Sequence, residues 1–253
     1  MHDPTPAPGP AASTPSRAPV VPPPPLARTV SPGLAGALTF LAAACVLVLE
    51  IAAARLLAPY VGVSLTTYTA IIGIILAGIA LGAWVGGRLA DVRPPAPLVG
   101  PVIALGGVAA IGAVPLVAAI GPQVTGGGAV PSIVLAGGGF VLPAAILSAA
   151  APMLVRATIR DVATSGGLVG RLSAIGTAGA LTGTFLTGFV LLGSFPTRGL
   201  IVATGGLLVA VGVVVGWYLR PGRPRSSHAG GPGAGGRGTG IALALVVATA
   251  LGT

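Results

Sequence analysis

Residues Ile71–Val85 read IIGIILAGIALGAWV, with no charged residue at any period. A helix on the surface of a soluble bundle needs a polar stripe opposite its core-facing stripe, and this run offers none. It lies within a longer apolar stretch at 66–87, and similar stretches occupy 34–57, 98–120, 131–155, 172–193 and 199–219. A helix needs ~20 residues to cross ~30 Å of hydrocarbon, which each stretch satisfies. The whole chain agrees: 54% of its 253 residues are hydrophobic and 7% charged, and the mean hydropathy is +0.99. That lies far outside the balance of a soluble domain. The short alternating strands of a transmembrane β-barrel are absent from the sequence. The expected fold is therefore all-α, a polytopic transmembrane helical bundle of about six spans. A seventh apolar run, Ile241–Thr253, is too short to cross and reads as the start of a truncated span.

Residues 1–32 contain 11 of the 25 prolines and few large apolar side chains. They are expected to form a disordered Pro/Ala-rich tail, since too little apolar surface is present to offset the entropy of ordering. The membrane domain then covers 33–220, and a Gly/Arg-rich linker covers 221–240. All 13 basic residues are arginine, and their placement sets an orientation. Arg17 and Arg28 precede the first span, Arg88 and Arg93 follow the second, and Arg156, Arg160 and Arg171 lie between the fourth and fifth. Arg220, Arg223, Arg225 and Arg237 follow the sixth, whereas the opposite side has only Arg55 and Arg198. The positive-inside rule puts the N-terminus in the cytoplasm and the protein, as a multi-pass protein, in the plasma membrane. The net charge of +9 follows from this bias, and no nucleic-acid partner is expected, because the basic residues lack the aromatic and polar companions of such a surface. The lipid bilayer is the expected partner.

Within the first span, Val46–Tyr60 reads VLVLEIAAARLLAPY, which puts Glu50 and Arg55 in an apolar run. If the span is centred near Cys45, Glu50 lies ~8 Å and Arg55 ~15 Å along the axis from the midplane. Arg55 can snorkel to the interface and Glu50 cannot. Five residues apart, they stand ~140° around the helix from each other, outside the favoured i,i+4 geometry. An unpaired charge at that depth costs roughly 2.5–3.5 kcal/mol. Three readings stand: a neutral carboxyl bonded to a neighbouring helix, a proton-relay or cation site, or a partner to an arginine of another span. Cys45, the only cysteine, has no disulfide or metal-ligand companion and reads as packing.

Gly78, Gly82 and Gly86 in the second span, and Gly179 and Gly183 in the fifth, follow the four-residue spacing that lets helix backbones approach. Pro143 and Pro152 are expected to kink the fourth. After the second span, Arg88, Asp91 and Arg93 are candidates for a cytoplasmic charge network. Their loop resembles the signature between helices 2 and 3 of major-facilitator transporters, with Pro94-Pro95 in place of the Gly-Arg pair expected downstream.

Two longer segments carry a more specific resemblance: LEIAAARLLAPYVGVSLTTYTAIIGIILAGIALGAWVGGRLAD at Leu49–Asp91 and VGRLSAIGTAGALTGTFLTGFVLLGSFPTR at Val169–Arg198. Together they resemble the membrane half of the fused major-facilitator/spermidine-synthase family, in which a multi-helix region precedes a soluble spermidine-synthase-like domain. The resemblance implies a membrane domain that anchors, or supplies substrate to, aminopropyl transfer in a catalytic domain absent from these residues. That domain, joined or separate, would be a partner, and the chain would be the N-terminal portion of a longer protein. The transfer chemistry needs a glycine-rich strand-to-helix turn followed by acids that hold the nucleoside and the amine. Gly126–Gly128 and Gly137–Gly139 are not followed by an acid, and Asp3, Glu50, Asp91 and Asp161 are dispersed. The chain alone is thus not expected to catalyse this reaction, nor to hold a cofactor or a metal. His2 and His228 belong to no triad or ligand cluster. The alternative is a small stand-alone transporter of the major-facilitator type for a cationic solute. Its six spans would be half of a twelve-helix carrier, which a homodimer would complete.

Overall fold

The computed structural model describes residues 30–124, 126–159 and 165–219. Most of the expected tail, the 221–240 linker and the 241–253 run lie outside the described residues. Within them stand six long helices: α1 Pro32–Val61, α2 Leu65–Val92, α3 Ala96–Gln123, α4 Ala129–Thr158, α5 Ser165–Ser194 and α6 Thr197–Tyr218. All six are long and apolar enough to cross a membrane, and no strand occurs among the described residues. The fold is a helical bundle.

Local signals set the boundaries. Ser31 caps α1, its hydroxyl accepting from the Leu34 N–H, and Pro32 supplies the first turn, where no N–H is needed. The chain is ordered before that cap: Val30 is buried and its N–H donates to the Ala157 carbonyl at 3.1 Å. Residues 30–32, which the expected tail includes, are thus part of the bundle. Gly62, at φ 78°, ends α1, and Ser64 caps α2 by accepting from Thr67 N–H at 3.1 Å. The fifth helix is already formed at Ser165, a full two turns before the hydropathy boundary. Arg171 therefore belongs to a helix rather than to a loop, and Arg156 lies in the last turn of α4.

The principal contacts pair α1 with α5, α2 with α4, and α3 with α6, and add α3 against α4, α1 against α6 and α1 against α4. Exchanging α1 with α4, α2 with α5 and α3 with α6 leaves that set unchanged. With successive helices running in opposite directions, that exchange relates α1–α3 to α4–α6 as units of opposite sense, a twofold pattern of contacts.

The residues obey the same symmetry. A methyl group on Gly78 or Gly82 would meet the carbonyls of Val141 and Ala145 in α4; on Gly179 or Gly183 it would meet those of Phe40 and Ala44 in α1. Between α3 and α6, Gly100 lies against Gly212 and Gly216, while Gly205 lies against Gly107 and Ile111. Gly107 faces Gly205 and Val209, and Gly212 faces Gly100 and Ala104. At one constant offset, Gly100 corresponds to Gly205, and Gly107 to Gly212. In α1 the buried set Ala52, Ala53, Leu56 and Leu57 corresponds to Met153, Leu154, Ala157 and Thr158 in α4, which makes Arg55 the counterpart of Arg156.

The fourth helix breaks the regular ladder twice, each time beside a proline, whereas the π turn of α5 at Thr187–Leu191 contains none. Gly137–Val141 forms a π-helical turn just before Pro143, and the helix is interrupted at Ala149, shortly before Pro152. A proline removes the donor to the carbonyl four residues earlier, here those of Gly139 and Ser148, and each irregularity falls on or beside that orphaned carbonyl. Ser148 adds a polar tie at this level: its hydroxyl lies 2.9 Å from the Ile79 carbonyl of α2 and 3.0 Å from that of Ala145.

Two outcomes follow for stability. Gly82→Ala, which drives a methyl into the Ala145 carbonyl and the Ser148 hydroxyl, lowers stability by about 1–3 kcal/mol. Gly73→Ala, with open space around it, does not; reversible unfolding in lipid bicelles measures both. The second concerns the twofold: Gly107→Ala and Gly212→Ala meet equivalent backbone, so their losses in the same assay match to within about 0.5 kcal/mol.

Candidate functional site

The buried face of α1 carries Cys45, Val48, Leu49, Ala52, Ala53, Leu56 and Leu57, the three- and four-residue recurrence of a helix seated in a bundle. Glu50 stands beside that face and is half-buried. It lines a small cavity with Val46 and Leu49 of α1, Ile75 of α2, and Phe140, Pro143, Ala144 and Leu147 of α4. Glu50 is the one polar side chain of this lining. The cavity measures about 10 Å³, room for about one water.

No hydrogen bond or ion pair reaches the Glu50 carboxylate among the described residues. Arg55, exposed near the far end of α1, is not joined to it. Of the three readings open from the sequence, a carboxyl bonded to another helix and a partner to an arginine are thus both absent from this arrangement. A carboxylate placed in this way can accept a proton or a cation.

The second candidate group lies at the end where α2 and α4 finish side by side. Asp91 meets Arg156, N to O 3.9 Å, with side chains 74% and 57% exposed respectively. Exposed pairs of this kind contribute about 0–1 kcal/mol, so the pair aligns the helix ends more than it holds them. Arg88 turns away from Asp91 and lies over the Trp84 ring, 4.2 Å from its centroid, a cation–π contact. Arg93 ends α2, its N–H donating to the Leu89 carbonyl, and its exposed side chain joins neither. Arg156 is the member that sequence reasoning did not attach to this group. Its position in the last turn of the fourth span, on the side where Asp91 emerges, is the signal that could have found it.

The glycine runs weighed as nucleotide-binding turns take other roles. Gly126 and Gly128 adopt positive φ in the connection between α3 and α4, where Gly126 N–H donates to the Tyr60 carbonyl at 3.3 Å. Gly137–Gly139 belong to the π turn of α4. No group of three or more His, Cys, Asp or Glu able to hold a metal occurs among the described residues. No protein-family model, curated protein or solved structure matches this chain.

Proposed function

We propose that this bundle is the membrane unit of a carrier for a cationic solute, and that transport depends on the Glu50 carboxylate. The observation that carries the reading is Glu50 itself: ionisable, inside a span, lining a cavity between α1, α2 and α4, and without a protein partner among the described residues. Ionisable groups at such depth are costly and mark ion and solute pathways. The inverted relation between α1–α3 and α4–α6 supports the same reading, because carriers use such repeats to open a central site to each side in turn. The resemblance of Leu49–Asp91 and Val169–Arg198 nominates polyamines as the solute.

A second reading keeps the membrane unit and changes its task. In it the bundle anchors a spermidine-synthase-like domain, or supplies it with substrate, and the same two segments favour it. Both readings assign the protein to the plasma membrane with the N-terminus in the cytoplasm, a choice supported by Arg88, Arg93, Arg156 and Arg171 at one end of the helices and Arg55 and Arg198 at the other.

Uptake of radiolabelled spermidine into proteoliposomes separates the two. A carrier accumulates the label, and Glu50→Gln reduces initial uptake to that of empty vesicles while the variant still elutes as a folded protein. Uptake by Glu50→Gln equal to wild type removes the carrier reading. Absence of uptake by both proteins leaves the anchor.

A further inference from the structure

The space beside Glu50 is more selective than its charge. A metal cation stripped of its water needs several oxygen ligands at once, and here one carboxylate is the only polar side chain among eight lining residues. An ammonium group brings three or more N–H donors, each costly to bury without an acceptor. On a polyamine it also brings a carbon stem, while Glu50 is the one side chain of this lining able to accept from those donors. A proton needs neither volume nor further ligands, and one water in the cavity suffices to deliver it.

We propose that the ligand of Glu50 is a proton, so that this carboxyl serves as the proton-exchange group of the bundle and the larger cation binds elsewhere. The assignment rests on the carrier reading for its purpose, but its chemistry stands on the cavity. No second titratable group lines that cavity. On α1 the nearest in sequence are Cys45, which is buried, and Arg55, which is exposed near the helix end. On α2, Tyr68 lies near the start and Arg88, Asp91 and Arg93 near or at the end; on α4, Arg156 lies in the last turn. Proton exchange at Glu50 is therefore that of one isolated carboxyl.

The wall that would admit the proton is α4. Leu142–Ser148 is a short helical piece between the π turn at Gly137–Val141 and the interruption at Ala149. Phe140 of that turn and Pro143, Ala144 and Leu147 of the piece make half of the lining. Single π turns inside α-helices occur often at functional positions, and of the two in this bundle only that of α4 borders the cavity.

Dicyclohexylcarbodiimide, which reacts with protonated carboxyls in apolar surroundings, tests the assignment on the reconstituted full chain, with modification read by peptide mass and Glu50→Gln as the unlabelled control. The expected result is modification of Glu50 that slows with rising pH, by about tenfold per unit once the carboxylate predominates. Replacing choline by sodium or methylammonium leaves the rate unchanged. Protection by sodium or by methylammonium overturns the proposal, because that cation then occupies the carboxylate. Absence of modification at Glu50 overturns it as well. If labelling follows the expected pattern while Glu50→Gln takes up spermidine like wild type, the proton site stands and the carrier reading fails.

Discussion

Lipid removes the ordinary reason for helices to associate. Hydrocarbon solvates leucine as well as a protein interior does, so association depends on close packing and on contacts that lipid cannot supply. In this chain the close packing is made where one helix has no side chain. Gly82 against Ala145, Gly183 against Ala44 and Gly107 against Gly205 bring backbone onto backbone, and everything else is placed by those contacts. Because Gly78, Gly82 and Gly86 seat α2 on α4, Ile75 one turn earlier closes the cavity that Glu50 borders. The chemistry of the one intramembrane carboxylate is thus fixed by residues that have no chemistry of their own.

The same contacts explain how a bundle can be tight and still contain an irregular helix. The seam between α2 and α4 runs on past the π turn and the interruption at Ala149, since Gly78 faces Val141 and Gly86 faces Ala149. Irregular backbone at membrane depth is tolerated where it is covered by protein, and beside this stretch the Ser148 hydroxyl also ties α4 to the Ile79 carbonyl of α2. The price of irregularity is lowest at the point where α4 forms the cavity wall.

Much of this was legible in the sequence, and the reasons for what was not are physical. Long uncharged runs such as Ile71–Val85 reveal spans because nothing but lipid accommodates them. The stripes of Gly78, Gly82 and Gly86 and of Gly179 and Gly183 reveal close seams because their four-residue spacing keeps them on one face. The α3–α6 seam was harder to see: Gly100 and Gly107, like Gly205 and Gly212, stand two turns apart, and only Gly212 and Gly216 show the short repeat, on one of the two helices. The start of α5 was missed because Gly166, Gly167, Gly170 and Arg171 lower its hydropathy without breaking the helix. Glu50 could be assigned a depth from position alone. Its neighbours Phe140 and Pro143 come from a distant segment, as does the Arg156 that meets Asp91, and only the packing of α4 on α2 brings them near.

The fifth helix has the least of its surface covered by the rest of the bundle, and its main seam is with α1 alone. Phe185 and Phe189, stacked on each other at 5.9 Å, are exposed together with Leu181 and Val190. Elements held by few contacts open first and at the lowest free energy. The surrounding acyl chains therefore hold α5 in place as much as the protein does, and the chain's integrity becomes a property shared with its solvent. A micelle that fits the belt of α2, α3 and α4 but wets the α1–α5 seam would unzip the bundle from that edge, leaving the α3–α6 pair as the last part to separate.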